Sequence, residues 1–115
     1  MSTPIVTAIR ERDARALNEL LAEDVRFNSP VRSYEGRDQV VHLLTTLGGL
    51  QTELHATRCV DAPGEIVSFI EMPGLDGVLD ERYDGDGRVT ELTLLLRPLS
   101  ELLDAVKRMG AALAR

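Results

Sequence analysis

Leu79-Asp80-Glu81-Arg82-Tyr83-Asp84-Gly85-Asp86-Gly87-Arg88-Val89 reads as a strand, a tight turn and the opening of a second strand. Two successive Asp-Gly pairs suit a hairpin turn, because such turns need positive φ and glycine supplies it at little steric cost. The strand that follows, Arg88 to Arg97, carries Val89, Leu92, Leu94, Leu95 and Leu96. It is too apolar for an edge and is expected at the centre of its sheet. Upstream, Glu65 to Met72 is a further strand, with Ile66, Ser68, Ile70 and Met72 on one face and Val67, Phe69 and Glu71 on the other. Both faces are apolar, so both are expected to be covered, one by helices and one by a partner subunit. Ala62-Pro63-Gly64 and Pro73 to Gly77 punctuate these strands. After Pro98, Ser100 is placed to cap a closing helix with Leu102, Leu103, Val106, Met109 and Leu113 at helical spacing. Lys107, Arg108 and Arg115 suit the negative end of its dipole.

The N-terminal part reads as helical. Ser2 or Thr3 before Pro4 is a hydroxyl cap followed by proline at the first helical position. Ile5, Ala8 and Ile9 recur at helical spacing. Asp13 can cap a second segment, Ala14 to Glu23, with a stripe of Leu17, Leu20 and Leu21. Val25-Arg26-Phe27-Asn28 alternates as a short strand that Ser29-Pro30 ends. Tyr34 to Arg37 reads as a loop, and Arg37 to Leu47 as a third helix that Gly48-Gly49 stops. Thr52 to Val60 reads as a strand with neither face cleanly apolar, so its inward side stays open.

The 115 residues are enough for one domain, 1–115, with one core. Two Tyr, two Phe and no Trp leave that core to aliphatic side chains. A net charge of −6 argues against nucleic acid or an anionic membrane as partner. No apolar run approaches the roughly 18–20 residues that span a bilayer, and no signal peptide is visible at Met1-Ser2-Thr3-Pro4. Cys59 stands alone, which fits a reducing, cytoplasmic setting. His42, His55 and Cys59 lack metal-ligand spacing, so no metal is expected. Asp80, Asp84 and Asp86 lack the closing glutamate of a calcium loop. Gly48-Gly49 lacks the lysine and serine of a phosphate loop, and no cofactor is expected.

The order of helices, strand, helix, four strands and helix is an α+β layout, a strongly bent antiparallel sheet with helices on one face. Ala16 to Val25, Ser29-Pro30, Tyr34 to Asp38, Asp86 to Val89 and Leu96 to Leu99 together resemble the NTF2-like superfamily. Within it they resemble the SnoaL-like proteins, which include polyketide cyclases and limonene-epoxide-hydrolase-like and ketosteroid-isomerase-like proteins. The resemblance implies a cone with helices on the concave face, an apolar pocket between sheet and helices, and a homodimer through the outer sheet face.

The resemblance also assigns positions. The ketosteroid-isomerase-like general base is an aspartate just before the proline that ends the first strand; here it is Ser29, a poor proton acceptor near neutral pH. An asparagine of the epoxide-hydrolase-like site matches Asn28, and a tyrosine two residues earlier becomes Arg26. That site's arginine and two aspartates fall at Ile70, Met72 and Leu94, three apolar residues. The same alignment sets Val78, Asp80 and Arg82 on the pocket face. The expected ligand-binding set is therefore Arg26, Asn28, Ser68, Ile70, Met72, Val78 and Leu94. Asp80 and Arg82 are the candidates for any catalytic role, paired at the pocket's polar end. Two functions follow. One is a pocket protein that binds a small hydrophobic cyclic molecule without the family's catalytic carboxylates. The other is an acid–base lyase, isomerase or hydrolase on such a molecule.

Overall fold

The fold is described from a computed structural model covering residues 2–114; Arg115 lies outside the described residues. Thr3 caps α1 (Pro4–Glu11), accepting the Val6 N–H at 3.2 Å on its hydroxyl. Arg12, in the left-handed region at φ 54°, ends that helix, and Asp13 caps α2 (Ala14–Leu20). The N-terminal segment is thus two short helices. Strands β1 (Leu21–Asn28) and β2 (Ser33–Glu35) follow, then α3 (Arg37–Leu50). Four strands come next: β3 (His55–Ala62), β4 (Glu65–Met72), β5 (Leu75–Tyr83) and β6 (Val89–Arg97). Helix α4 (Leu99–Leu113) closes the chain.

The six strands form one sheet in the order β2-β1-β6-β5-β4-β3, with β6 in the interior as its apolar run requires. Strands β3 to β6 are a meander of antiparallel hairpins. Pro63-Gly64 and Pro73-Gly74 make two-residue connections, both glycines at positive φ. In the third turn the Asp84 carboxylate accepts the N–H groups of Asp86 and Arg88. The sheet is mixed, however: β1 runs parallel to β6. No short hairpin joins those two strands, so no turn imposes the antiparallel sense.

Three irregularities bend the sheet and reset its faces. On β3, Ala56 faces Ile70 and Arg58 faces Phe69, so Thr57 is an extra residue. The inward side therefore passes from Ala56 to Cys59, which explains why neither face of that strand alternates cleanly in sequence. On β6, Thr90 is extra between Val89 and Glu91. On β1, Leu21 faces Val89 and Arg26 faces Glu91, a longer detour.

Helices α1, α2 and α3 cover the inner face over an aliphatic core that includes Ile5, Ile9, Leu17, Val25, Leu44 and Leu92. Burying each such side chain is worth about 1.5–3 kcal/mol. Several boundaries differ from the sequence reading. Leu21 to Glu23 belong to β1, because pairing of Leu21 with Val89 outweighs their helix propensity. Gly48 and Gly49 lie inside α3: a Cβ on Gly48 would stand 1.8 Å from the Ile9 carbonyl oxygen, so glycine is what lets α3 approach α1. Pro98, not Ser100, occupies the cap position of α4. Tyr34 and Glu35 form an edge strand, not a loop.

Candidate functional site

One end of the sheet is left uncovered by α1 and α2, and α4 crosses it, packing on α3 and β6. Between them lies a partly enclosed cavity of about 320 Å³. The sheet contributes Phe27, Tyr34, Met72, Leu75, Leu94 and Leu96. Helix α3 adds Leu43, Leu47 and Leu50, and α4 adds Leu102, Val106 and Met109 among others. The polar lining is short: Ser29, Arg32, Gln51 and Arg108. No carboxylate or histidine lines it among the described residues.

Ser29 stands in the segment between β1 and β2, and its hydroxyl is committed to that turn. It donates to the Arg32 carbonyl at 2.7 Å and accepts the N–H groups of Val31 and Arg32. A hydroxyl so engaged, with no base beside it, is not set up to take a proton. Arg32 lies over the Tyr34 ring, 4.9 Å from its centroid, and Tyr34 stacks on Phe27 at 6.4 Å.

Of the residues singled out in the sequence, Met72 and Leu94 line the cavity. Ile70 and Ser68 also face inward but are buried in the core beyond it, Ser68 beside the Cys59 thiol at 3.4 Å. The other five lie on the outer face. In β1, Val25 and Phe27 point inward, so Arg26 and Asn28 point out. Asn28 donates to Glu91 and Thr93 at 2.8 and 3.0 Å and accepts from Ser33, while Arg26 pairs with Glu35. The alternation of the strand overrides the alignment with the epoxide-hydrolase-like site.

In β5 the inward residues are Leu75, Leu79, Glu81 and Tyr83; Val78, Asp80 and Arg82 are one residue out of phase and face outward. Asp80 and Arg82 do meet, at 3.6 Å, but in an outer cluster with Glu65, which Arg82 also reaches at 3.4 Å. There the neighbouring Asp80 carboxylate holds the Glu65 carboxyl above its usual range, against the opposing pull of Arg82. The pocket-end role assigned to Asp80 and Arg82 thus has no geometric support.

The charged group that does enter the interior is Glu81, fully buried at the end of the sheet away from the cavity. Its carboxylate accepts the Thr3 hydroxyl at 2.6 Å and the Tyr83 hydroxyl at 2.5 Å. Burial raises its pKa; the two hydrogen bonds pull the other way, and the Asp80 charge adds to the rise. Tyr83 is likewise pushed up, first by burial and then by its bond to Glu81. Sequence reading passed over Glu81, although its parity with Leu79 and Tyr83 was the available signal. Among the described residues no group of three His, Cys, Asp or Glu side chains could hold a metal ion. Among the described residues no helix is long and apolar enough to cross a membrane.

Fold and cavity together define an NTF2-like α+β cone. The profile of the SnoaL-like domain matches residues 5–97, and the chain belongs to that family. No curated protein sequence matches the chain. Among solved structures, a steroid delta-isomerase from Pseudomonas aeruginosa aligns at TM-score 0.83 and 28% identity, over 94% of this chain and 85% of that one. An uncharacterized protein with a cystatin-like fold from Silicibacter pomeroyi aligns at TM-score 0.87 and 22% identity, over 94% and 81%. A de novo designed protein with a curved β-sheet aligns at TM-score 0.71 and 16% identity, over 96% and 98%. Since that designed chain shares the architecture, the fold by itself does not dictate a reaction.

Proposed function

We propose that this protein binds a small apolar molecule, cyclic or compact, in the cavity between sheet, α3 and α4, without catalysis by carboxylates. The lining carries the reading: a cavity of about 320 Å³, apolar almost throughout, with no group among the described residues that would exchange a proton near neutral pH. The likeness to a steroid delta-isomerase raises the alternative of an acid–base isomerase. The engaged Ser29 hydroxyl at the expected base position favours binding over that alternative.

Titration with the neutral fluorophore N-phenylnaphthylamine tests this. Saturable, blue-shifted fluorescence is expected for the native protein and its loss for Ala105→Trp, which fills the cavity from α4. The variant's unfolding transition serves as control. Equal binding by both proteins, or none by the native one, would refute the pocket reading.

We further propose that the outer sheet face joins two copies of the chain. Phe69, Val78 and Leu95 are cross-strand neighbours, as are Val60 and Val67. Val60, Phe69 and Leu95 are 49, 37 and 59% exposed, an unusual row of apolar groups for a surface facing water. Arg58, over the Phe69 ring at 4.2 Å, and the Asp76–Arg97 pair at 2.9 Å border it. The free thiol of Cys59 is consistent with a reducing compartment, and the cytoplasm is our proposed location.

A further inference from the structure

We propose that the ligand of this cavity is an amphipathic anion, an apolar body bearing a single carboxylate, whose head group is held by Arg32 and Arg108. The inference rests on the pocket reading above and adds the ligand's charge and orientation. The chain has 19 acidic residues against 13 basic ones. Yet the charged side chains lining the cavity, among the described residues, are two arginines and no acid. Both arginines are exposed, so they stand at the rim where the apolar interior meets water. That is the layout an amphipathic ligand needs, with its hydrocarbon inside and its head at the opening.

The two cations come from different walls, Arg32 from the segment between β1 and β2 and Arg108 from α4. Neither makes an ion pair among the described residues, so each can accept an external anion without breaking an internal contact. Arg32 is held in place before any ligand arrives: its backbone is fixed by Ser29 and its guanidinium rests on Tyr34. A pre-positioned guanidinium matches the two oxygens of a carboxylate and loses little freedom on binding. A neutral ligand would leave both charges unused, and a cationic one would meet like charge at the two rim arginines, the charged lining among the described residues.

The test uses displacement of N-phenylnaphthylamine by decanoate, decanol and decylamine, three molecules with one hydrocarbon chain and different heads. Decanoate is expected to displace the probe at a concentration about tenfold below decanol, from two partly solvated charge-assisted contacts. Decylamine should be the weakest of the three. In the double variant Arg32→Gln, Arg108→Gln the gap between decanoate and decanol should close to less than about threefold, through weaker decanoate binding. High salt should narrow the gap in the native protein. If decanol matches decanoate in the native protein, or if the preference survives in the double variant, the inference is overturned while the pocket stands. If the probe does not bind and calorimetry detects no decanoate binding, the pocket reading fails and this inference with it.

Discussion

Replacing the buried Glu81 by glutamine should change how stability depends on pH. In the native protein burial raises the Glu81 pKa above its ordinary value of 4.5. Between that ordinary value and the raised one, the folded chain binds more of this proton than the unfolded chain does. Stability from this group is therefore fully present below about pH 4.5 and is lost as pH rises through the folded pKa. The loss reaches at most about 1.4 kcal/mol per pH unit inside that window and stops above it. For a chain of this size about 1 kcal/mol moves Tm by roughly 4 °C, so the ceiling is about 5–6 °C per pH unit. Glutamine keeps the shape and one acceptor for the Thr3 and Tyr83 hydroxyls but cannot ionise. Urea unfolding of both proteins from pH 4.5 to 7.5 isolates the effect, since the other carboxylates are common to both. The stability of Glu81→Gln relative to native should climb with pH and then level off. A difference that stays flat, or falls as pH rises, would refute the placement of this carboxyl in a desolvated interior.

Two adjacent glycines should behave oppositely. Gly48→Ala drives a Cβ into the Ile9 carbonyl and should cost about 3 kcal/mol, whereas Gly49→Ala meets only the flexible Arg12 side chain at 3.4 Å and should gain up to about 1 kcal/mol; chemical denaturation measures both. Phe69→Asp with Leu95→Asp should turn a dimer into a monomer by light scattering while leaving probe binding in place, and a monomeric native protein at micromolar concentration would refute the interface. With Ser29 at the base position, turnover of a β,γ-unsaturated ketosteroid should stay at the buffer rate; isomerisation well above it would show that another group supplies the base.

Much of the fold was legible because its signals are local. Pro-Gly, Pro-Gly and Asp-Gly marked three of the hairpins, and the leucines of β6 marked an interior strand. What was not legible depended on distant partners. Leu21 to Glu23 look helical until Val89 is beside Leu21, and Gly77 looks like a breaker until β6 is seen passing so close that a Cβ would lie 1.8 Å from the Leu95 oxygen. Reading that glycine as a break shortened β5 and hid the run Leu75, Leu79, Glu81, Tyr83, which fixes the strand's phase. The alignment with the epoxide-hydrolase-like site set Asp80 and Arg82 inward instead, and Glu81 was overlooked. In the cavity, Met72 and Leu94 were reachable by alternation, but Arg32 and Arg108 were not, since a loop arginine and a helix arginine carry no mark of the wall they will share.

The parallel pairing of β1 with β6 has a consequence for the chain as it is made. Asn28 of β1 waits for Thr93, 65 residues later, and Thr3 waits for Glu81, 78 residues later. At roughly 5–20 residues per second, a nascent chain holds its first strand and helices without their partners for on the order of several seconds. The helical segments can form early, and α1 and β1 can pack on α3 once Leu50 has emerged, but β1 lacks its parallel neighbour until β6 leaves the ribosome. During that interval the unpaired edge is that of β1, Leu21 to Asn28, and a chaperone that engages this protein during synthesis should be found on that strand and should leave it once Arg97 has emerged.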